Sequence, residues 1–340
     1  MPTTARHRAL VLSAVAALAA AGLMAGAGPA AAVPIAEGQA ISGLDLNLTG
    51  GGPDCNSPDA ADKSTNVVFS TATGAKTVAN TTSATVTDST NLPDVTTMTA
   101  RSATTSKVTA AGGSLSTIDI TTSLRAKIDA AQGFNTSCDV SADAIGGAQA
   151  LFTIAEPGWL SITSSKSQGG IHIFGVGSMT GEALQTYSIR IKSSDTYRFF
   201  LPTAGDYQFI SQVIASVATP SDPFEATDEE STVSMHGKFL PAGAASGPAT
   251  GPGARYLKLG AERSCSANTL SSTFTSKARA VAKAQVYANG KLVATVRNPK
   301  PGKVVKIANL ADASPLAVRA VLTLKAGGKA GVARSYVACS

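Results

Sequence analysis

The residues able to do chemistry in this 340-residue chain are few, and their spacing narrows what they can do. Cys55, Cys138, Cys265 and Cys339 contain no C-x-x-C pair, and neither His172 nor His236 lies near a cysteine in the sequence. A structural metal centre wants closely spaced thiolates with histidine partners, so the four cysteines read as two structural disulfides. Four cysteines allow three connectivities. Cys55–Cys138 with Cys265–Cys339 is the expected one, because each bridge then stays inside one proposed domain. Long closed loops of this kind stabilise by about 4–5 kcal/mol each in the chain-entropy picture.

A Ser-His-Asp hydrolase needs a histidine within hydrogen-bond reach of an activated serine. His172 sits in Ile171-His172-Ile173, where strand alternation sends it to the face opposite both isoleucines, so it reads as a solvated or hydrogen-bonded strand histidine. His236, between Met235 and Gly237, reads the same way, and no G-x-S-x-G elbow accompanies either. Paired carboxylates could cleave glycosides, but aromatic surface for stacking sugars is scarce; Trp159, the single tryptophan, is expected in the core. Asp54, Asp59 and Asp62, and also Asp222, Glu225, Asp228, Glu229 and Glu230, offer the hard oxygens calcium prefers. They match no fixed ligand spacing and read as solvated acidic loops. No phosphate-cradling glycine motif stands between a strand and a helix, so no cofactor is expected.

Charge is the most informative property. Residues 33–240 carry 11 cations against 20 anions, a net of −9, whereas residues 241–340 carry 15 against 2, a net of +13. The candidate polyanion-binding residues are Lys277, Arg279, Lys283, Lys291, Arg297, Lys300, Lys303, Lys306, Arg319 and Lys325. Three explanations stay open: capture of an anionic cell-wall polymer or membrane surface, docking of the basic part on the acidic part, or lysines that keep strand edges from aggregating. Specific nucleic-acid binding is not expected, because Tyr256, Phe274, Tyr287 and Tyr336 form no stacking array.

The elements that must position these residues begin with a leader. Arg6 and Arg8 precede an Ala/Leu/Val-rich run, and Ala30-Ala31-Ala32 supplies small residues at both positions a signal peptidase reads, placing cleavage before Val33. Export into an oxidising compartment agrees with the expected disulfides. The Ser/Thr-rich region from Ala61 to Arg125 alternates apolar and small polar residues, which suits strands with one wet face. From Ala148 onward, short apolar runs are separated by turns such as Glu156-Pro157-Gly158 and Pro202-Thr203-Ala204-Gly205, pointing to a sandwich or jelly roll. One or two helical turns are expected over Leu124–Ala131. The run from Pro241 to Gly253, PAGAASGPATGPG, reads as a semi-flexible linker with no regular element.

Beyond it, Asn289-Gly290 and Gly327-Gly328 mark two hairpins. In the strand before the second, Val318, Ala320, Leu322 and Leu324 share one face. That pattern fits an Ig-like sandwich of about 90 residues.

Two resemblances can be named on these residues. ALFTIAEPGWLSITSS, GIHIFGV and Phe199-Phe200-Leu201-Pro202-Thr203-Ala204-Gly205-Asp206-Tyr207 resemble the bacterial pre-peptidase C-terminal type of β-sandwich module. Arg334-Ser335-Tyr336-Val337-Ala338-Cys339 is similar to the last strand of Ig-like C-terminal domains in secreted actinobacterial proteins of unknown role. Both resemblances imply accessory or binding modules and carry no catalytic residue.

The expectation is therefore an all-β, secreted, non-enzymatic protein: a jelly-roll-like sandwich over residues 33–240, a linker over 241–253 and a basic Ig-like sandwich over 254–340. It would bind an envelope or extracellular ligand, with the basic domain as electrostatic anchor. The alternatives are an accessory or inhibitor module partnering a secreted hydrolase, or a hydrolase built on carboxylates. The sequence leaves the oligomeric state open.

Overall fold

A chain that alternates small polar with apolar residues can bury one side of each strand and leave the other wet. The computed structural model draws this out, over the described residues, as twenty strands with almost no helix. It describes residues 35–50, 55–56, 62–88, 94–130, 138–166, 169–179, 185–189, 195–219 and 227–340. The leader, Asp54, Asp59, Asp222 and Glu225 lie outside the described residues. Among the described residues no helix is long and apolar enough to cross a membrane.

Thirteen strands build the acidic body: β1 (Ala36–Gly50), β2 (Cys55–Asn56), β3 (Lys63–Ser70), β4 (Lys76–Asp88), β5 (Asp94–Ala111), β6 (Ser114–Ala130), β7 (Asp139–Ile154), β8 (Gly158–Lys166), β9 (Ile171–Ser178), β10 (Gln185–Ile189), β11 (Asp195–Leu201), β12 (Gly205–Ala218) and β13 (Asp228–Pro241). They form two antiparallel sheets in the orders β10-β9-β12-β7-β1-β3 and β11-β8-β13-β6-β5-β4-β2. The inner faces enclose one apolar core that includes Phe69, Phe152, Phe174, Phe209, Leu160 and Ile128. At mid-height this core narrows into a belt of small and hydroxyl-bearing side chains. Ser42 pairs with Gly146 across β1 and β7, and Thr104 pairs with Thr122 across β5 and β6. A Cβ on Gly146 would lie 2.6 Å from Thr122 Cγ2 and 2.9 Å from Thr104 Oγ1, so glycine is what lets the sheets approach here. The hydroxyls of Ser42, Ser102, Thr104 and Thr122 are bonded here, whereas the buried Ser106 and Ser164 hydroxyls have no partner among the described residues. Ser42 Oγ donates to the Ser102 carbonyl (3.2 Å), Ser102 Oγ to the Ile145 carbonyl (2.8 Å), and the Thr104 and Thr122 hydroxyls bond each other (3.2 Å).

Three expectations are corrected in and around the body. Leu124–Ala130 is strand, the end of β6, and not helix. Its residues are good helix formers, but Leu124, Ala126 and Ile128 are buried and alternate with outward Arg125, Lys127 and Asp129, and that period of two prevails. Trp159 is not a core residue. It shares β8 with buried Leu160 and Ile162, so alternation turns it outward, where it is half-buried between Leu240 and Phe200 on neighbouring strands. The Trp159 and Phe200 rings stand 5.0 Å apart, and the indole Nε1 donates to the Ala338 carbonyl (3.0 Å), a contact with the C-terminal unit.

The third correction concerns Pro241–Gly253, which does hold regular contacts. Pro241 closes β13, and the segment then straps onto the C-terminal unit. Gly243 N–H donates to the Ala338 carbonyl, Ser246 N–H to Ser335, and Thr250 exchanges both bonds with Ala333. A 3-10 turn, Pro252–Arg255, follows with proline at its start. Small residues and positive-φ glycines let this strap lie flat on the sheet; a Cβ on Gly251 would sit 2.4 Å from the Gly331 carbonyl.

Seven more strands form a second, separate core: β14 (Leu257–Leu259), β15 (Leu270–Phe274), β16 (Val281–Ala288), β17 (Lys291–Arg297), β18 (Val304–Ile307), β19 (Leu316–Leu324) and β20 (Lys329–Tyr336). They make a three-stranded sheet, β14-β15-β18, and a four-stranded sheet, β17-β16-β19-β20. Both disulfides form as expected. Cys55 bonds Cys138 and Cys265 bonds Cys339, one bridge within each unit.

Candidate anion-binding face

The four-stranded sheet owes its register to its turns. Asn289 (φ 46°) and Gly290 (φ 80°) both take the left-handed conformation that a tight two-residue hairpin needs. Asn289 is held further by its side chain, whose Oδ1 accepts from Ala317 N–H (2.8 Å). The hairpin sets Lys283 opposite Arg297 and Gln285 opposite Thr295. A bulge, in which Val293 is the extra residue, then sets Tyr287 opposite Leu292. Strands β19 and β20 continue these rows across the sheet. One row reads Arg297, Lys283, Thr323, Lys329; the next reads Thr295, Gln285, Val321, Gly331; the third reads Leu292, Tyr287, Arg319, Ala333. The opposite side chains, among them Val286, Val318, Ala320, Leu322 and Val332, are buried in the core, so all three rows face outward. Gln285, Tyr287, Arg319, Val321, Lys329 and Ala333 line a shallow open concavity there.

Of the cations singled out in the sequence, the structure brings Lys283, Arg297 and Arg319 onto this face. It adds Lys329, which the sequence reading missed. The signal was present: Lys329 directly follows the Gly327-Gly328 turn and pairs with Thr323. Lys291 stands exposed beside the Asn289-Gly290 turn, and Lys325 is exposed at the other one. Lys277 and Arg279 lie on a 3-10 turn (Ser276–Ala280), Lys300 and Lys303 in the loop before β18, and Lys306 on β18 itself, away from the three rows. Two further arginines hold the unit together. Arg263 is buried and donates to the carbonyls of Ala311, Asp312 and Ser314. Arg334 donates to Gly247, Leu259 and Gly260. Tyr336 Oη also donates to the Gly260 carbonyl (2.9 Å), and burial pushes its phenol up to about 12. Thus Arg334, Tyr336 and Cys339 of the terminal motif act as clasps.

The unit's two carboxylates, Glu262 and Asp312, lie outside the strands of this sheet, and Asp312 accepts from Asn268 Nδ2 (3.2 Å). Among the described residues every ion pair falls in the body. Arg125 holds Asp228 through two bonds (2.9 and 2.6 Å), which lowers the carboxyl and raises the guanidinium. Lys127 pairs with Asp129, and His236 Nδ1 donates to Asp119 (2.6 Å). The described members of the second acidic group are largely engaged too, since Glu229 accepts from Gly170 N–H and Ser216 N–H as well.

The other constellations are placed as follows. His172 does oppose Ile171 and Ile173, but it points into the core, where its Nε2 bonds Ser211 Oγ (3.1 Å), which in turn contacts Met235 Sδ. Both groups are buried, so no substrate reaches this histidine–serine pair. Asp45 faces Asp143 across β1 and β7 and is hydrogen-bonded to Asp62. Burial first, and then the two neighbouring carboxylates, raise it to about 6. Among the described residues no group of three or more His, Cys, Asp or Glu is arranged to hold a metal ion. In comparison with known proteins, the chain matches no family model and no curated relative.

Proposed function

We propose that this is an exported, non-enzymatic protein that holds an extended anionic surface of the cell envelope. Its C-terminal unit, read as an Ig-like module, is the electrostatic anchor, and the acidic body is the part displayed. One observation carries the reading: Lys283, Arg297, Arg319 and Lys329 stand outward on one sheet face with no carboxylate among them. Unmatched charge of this kind attracts polyanions through forces that weaken as salt shortens the Debye length from about 10 Å at 0.1 M. Two disulfides suit the oxidising compartment that the leader implies. The full chain, mixed with isolated envelopes, should sediment at low salt and be released at moderate salt, and a K283E/R297E variant should stay in the supernatant. Sedimentation that ignores both salt and this variant would remove the reading.

A second reading, a hydrolase built on carboxylates, is favoured by Asp45, which faces Asp143, is bonded to Asp62 and is raised to about 6, since a carboxyl raised in this way can act as a general acid. Hydrolysis of model glycosides or peptides that disappears in D45N would place a reaction ahead of anchorage.

A further inference from the structure

The face just described is not only cationic. Leu292 and Val293 are among the large apolar side chains left open to solvent, at 52% and 43% exposure, and both follow Lys291 at the free end of the β16–β17 hairpin. Leu292 lies in the same outward row as Tyr287 and Arg319, and the bulge brings Val293 to the adjoining edge of the sheet. An aliphatic pair, a tyrosine and a line of lysine and arginine therefore share one surface. A soluble polyanion has no use for the aliphatic side chains. An anionic bilayer uses both kinds, because lysine and arginine are drawn to its headgroups while apolar and amphipathic side chains settle at the headgroup–acyl boundary.

Resting on the anchor reading above, we propose that the outer face of the four-stranded sheet lies on an anionic phospholipid bilayer, with Leu292, Val293 and Tyr287 entering the headgroup layer. The depth is limited by the backbone. Strand β17 is a sheet edge with unpaired N–H and C=O groups, which cannot be carried into hydrocarbon without large cost. The sheet therefore lies on the surface, and only its side chains insert. The absence of carboxylates from the three rows fits the same partner, because no anion has to approach the phosphates.

The test uses the full chain and two kinds of vesicle, phosphatidylcholine alone and phosphatidylcholine with phosphatidylglycerol at a ratio of about 7:3, together with soluble polyphosphate as a competitor of the same charge. Binding is expected to the mixed vesicles and not to phosphatidylcholine alone. K283Q/R297Q should lower partitioning about 25-fold, from about fivefold per cation, and should weaken polyphosphate binding as well. L292S/V293S should lower vesicle partitioning about tenfold while leaving polyphosphate binding unchanged. Both residues are exposed, and an unchanged melting temperature confirms that this variant folds. If L292S/V293S binds mixed vesicles like the parent, or if the parent binds polyphosphate but no vesicle, the bilayer is not the partner and only the electrostatic anchor survives. If the parent binds neither, both readings fall.

Discussion

The acidic body and the basic unit are both two-sheet sandwiches closed by one disulfide, yet they treat polar groups in opposite ways. The body engages its polarity internally. A hydroxyl belt crosses its core, Asp228 is clamped by Arg125, Glu229 accepts two backbone amides, and Asp119 holds His236. The basic unit keeps a less polar core and directs two arginines inward as clasps, while its other cations have no ion pair among the described residues. A charge with a partner stabilises a fold; a charge without one remains available to something outside. That contrast is what supports the proposal that the basic unit is the anchor.

The sharpest way to break the comparison is through the disulfides. Their sequence separations, 83 and 74 residues, are similar, so each should contribute about 4–5 kcal/mol. The basic unit has the smaller core to absorb that loss. Cys265→Ser with Cys339→Ser should unfold it at 37 °C and leave the body folded, whereas Cys55→Ser with Cys138→Ser should lower the body's melting temperature without unfolding it. Calorimetry with limited proteolysis reads both. Next comes the body's waist. Gly146→Val forces side-chain atoms against Thr122, Thr104 and Leu124 and should cost about 3 kcal/mol in chemical denaturation, with the basic unit unaffected.

Smaller effects sharpen the contrast. Trp159→Phe keeps the ring against Phe200 but loses the bond to Ala338, at a cost of about 1 kcal/mol, and should separate the two thermal transitions. Asp45, raised to about 6 from an unfolded value near 3.9, lets the native body bind more protons than the unfolded chain between those values. Its contribution is therefore fully present below pH 4 and is lost as pH rises through 6. Asp45→Asn should flatten that slope and stabilise the body at pH 7 by about 1 kcal/mol, the full shift being discounted because the group is only partly buried.

What was legible in the sequence followed from local chemistry. Asn289-Gly290 demanded a tight hairpin, alternation at Val318, Ala320 and Leu322 gave an inward face, and the division into two domains paired the cysteines. What was not legible depended on long-range register. The helix-forming residues of Leu124–Ala130 became strand because β5 and β13 flank them. Trp159 turned outward because its neighbours Leu160 and Ile162 took the core. Composition alone suggested that the Pro/Gly run was loose, whereas β20 supplied the partners that fix it. Sequence singled out ten cations but could not say that Lys283, Arg297 and Arg319 share a face, or that Lys329 joins them, since that depends on how four strands align.

The strap described above also governs how the molecule bears load. The chain enters the basic unit at Gly243, hydrogen-bonded to Ala338, one residue from the cystine at Cys339. Tension drawn through the body of a tethered molecule arrives where the unit's first and last segments are held together, so the covalent ring behind them resists peeling. Shear flow would then have to open the sandwich as a unit, and its spontaneous opening rate would set how long a molecule held as proposed endures.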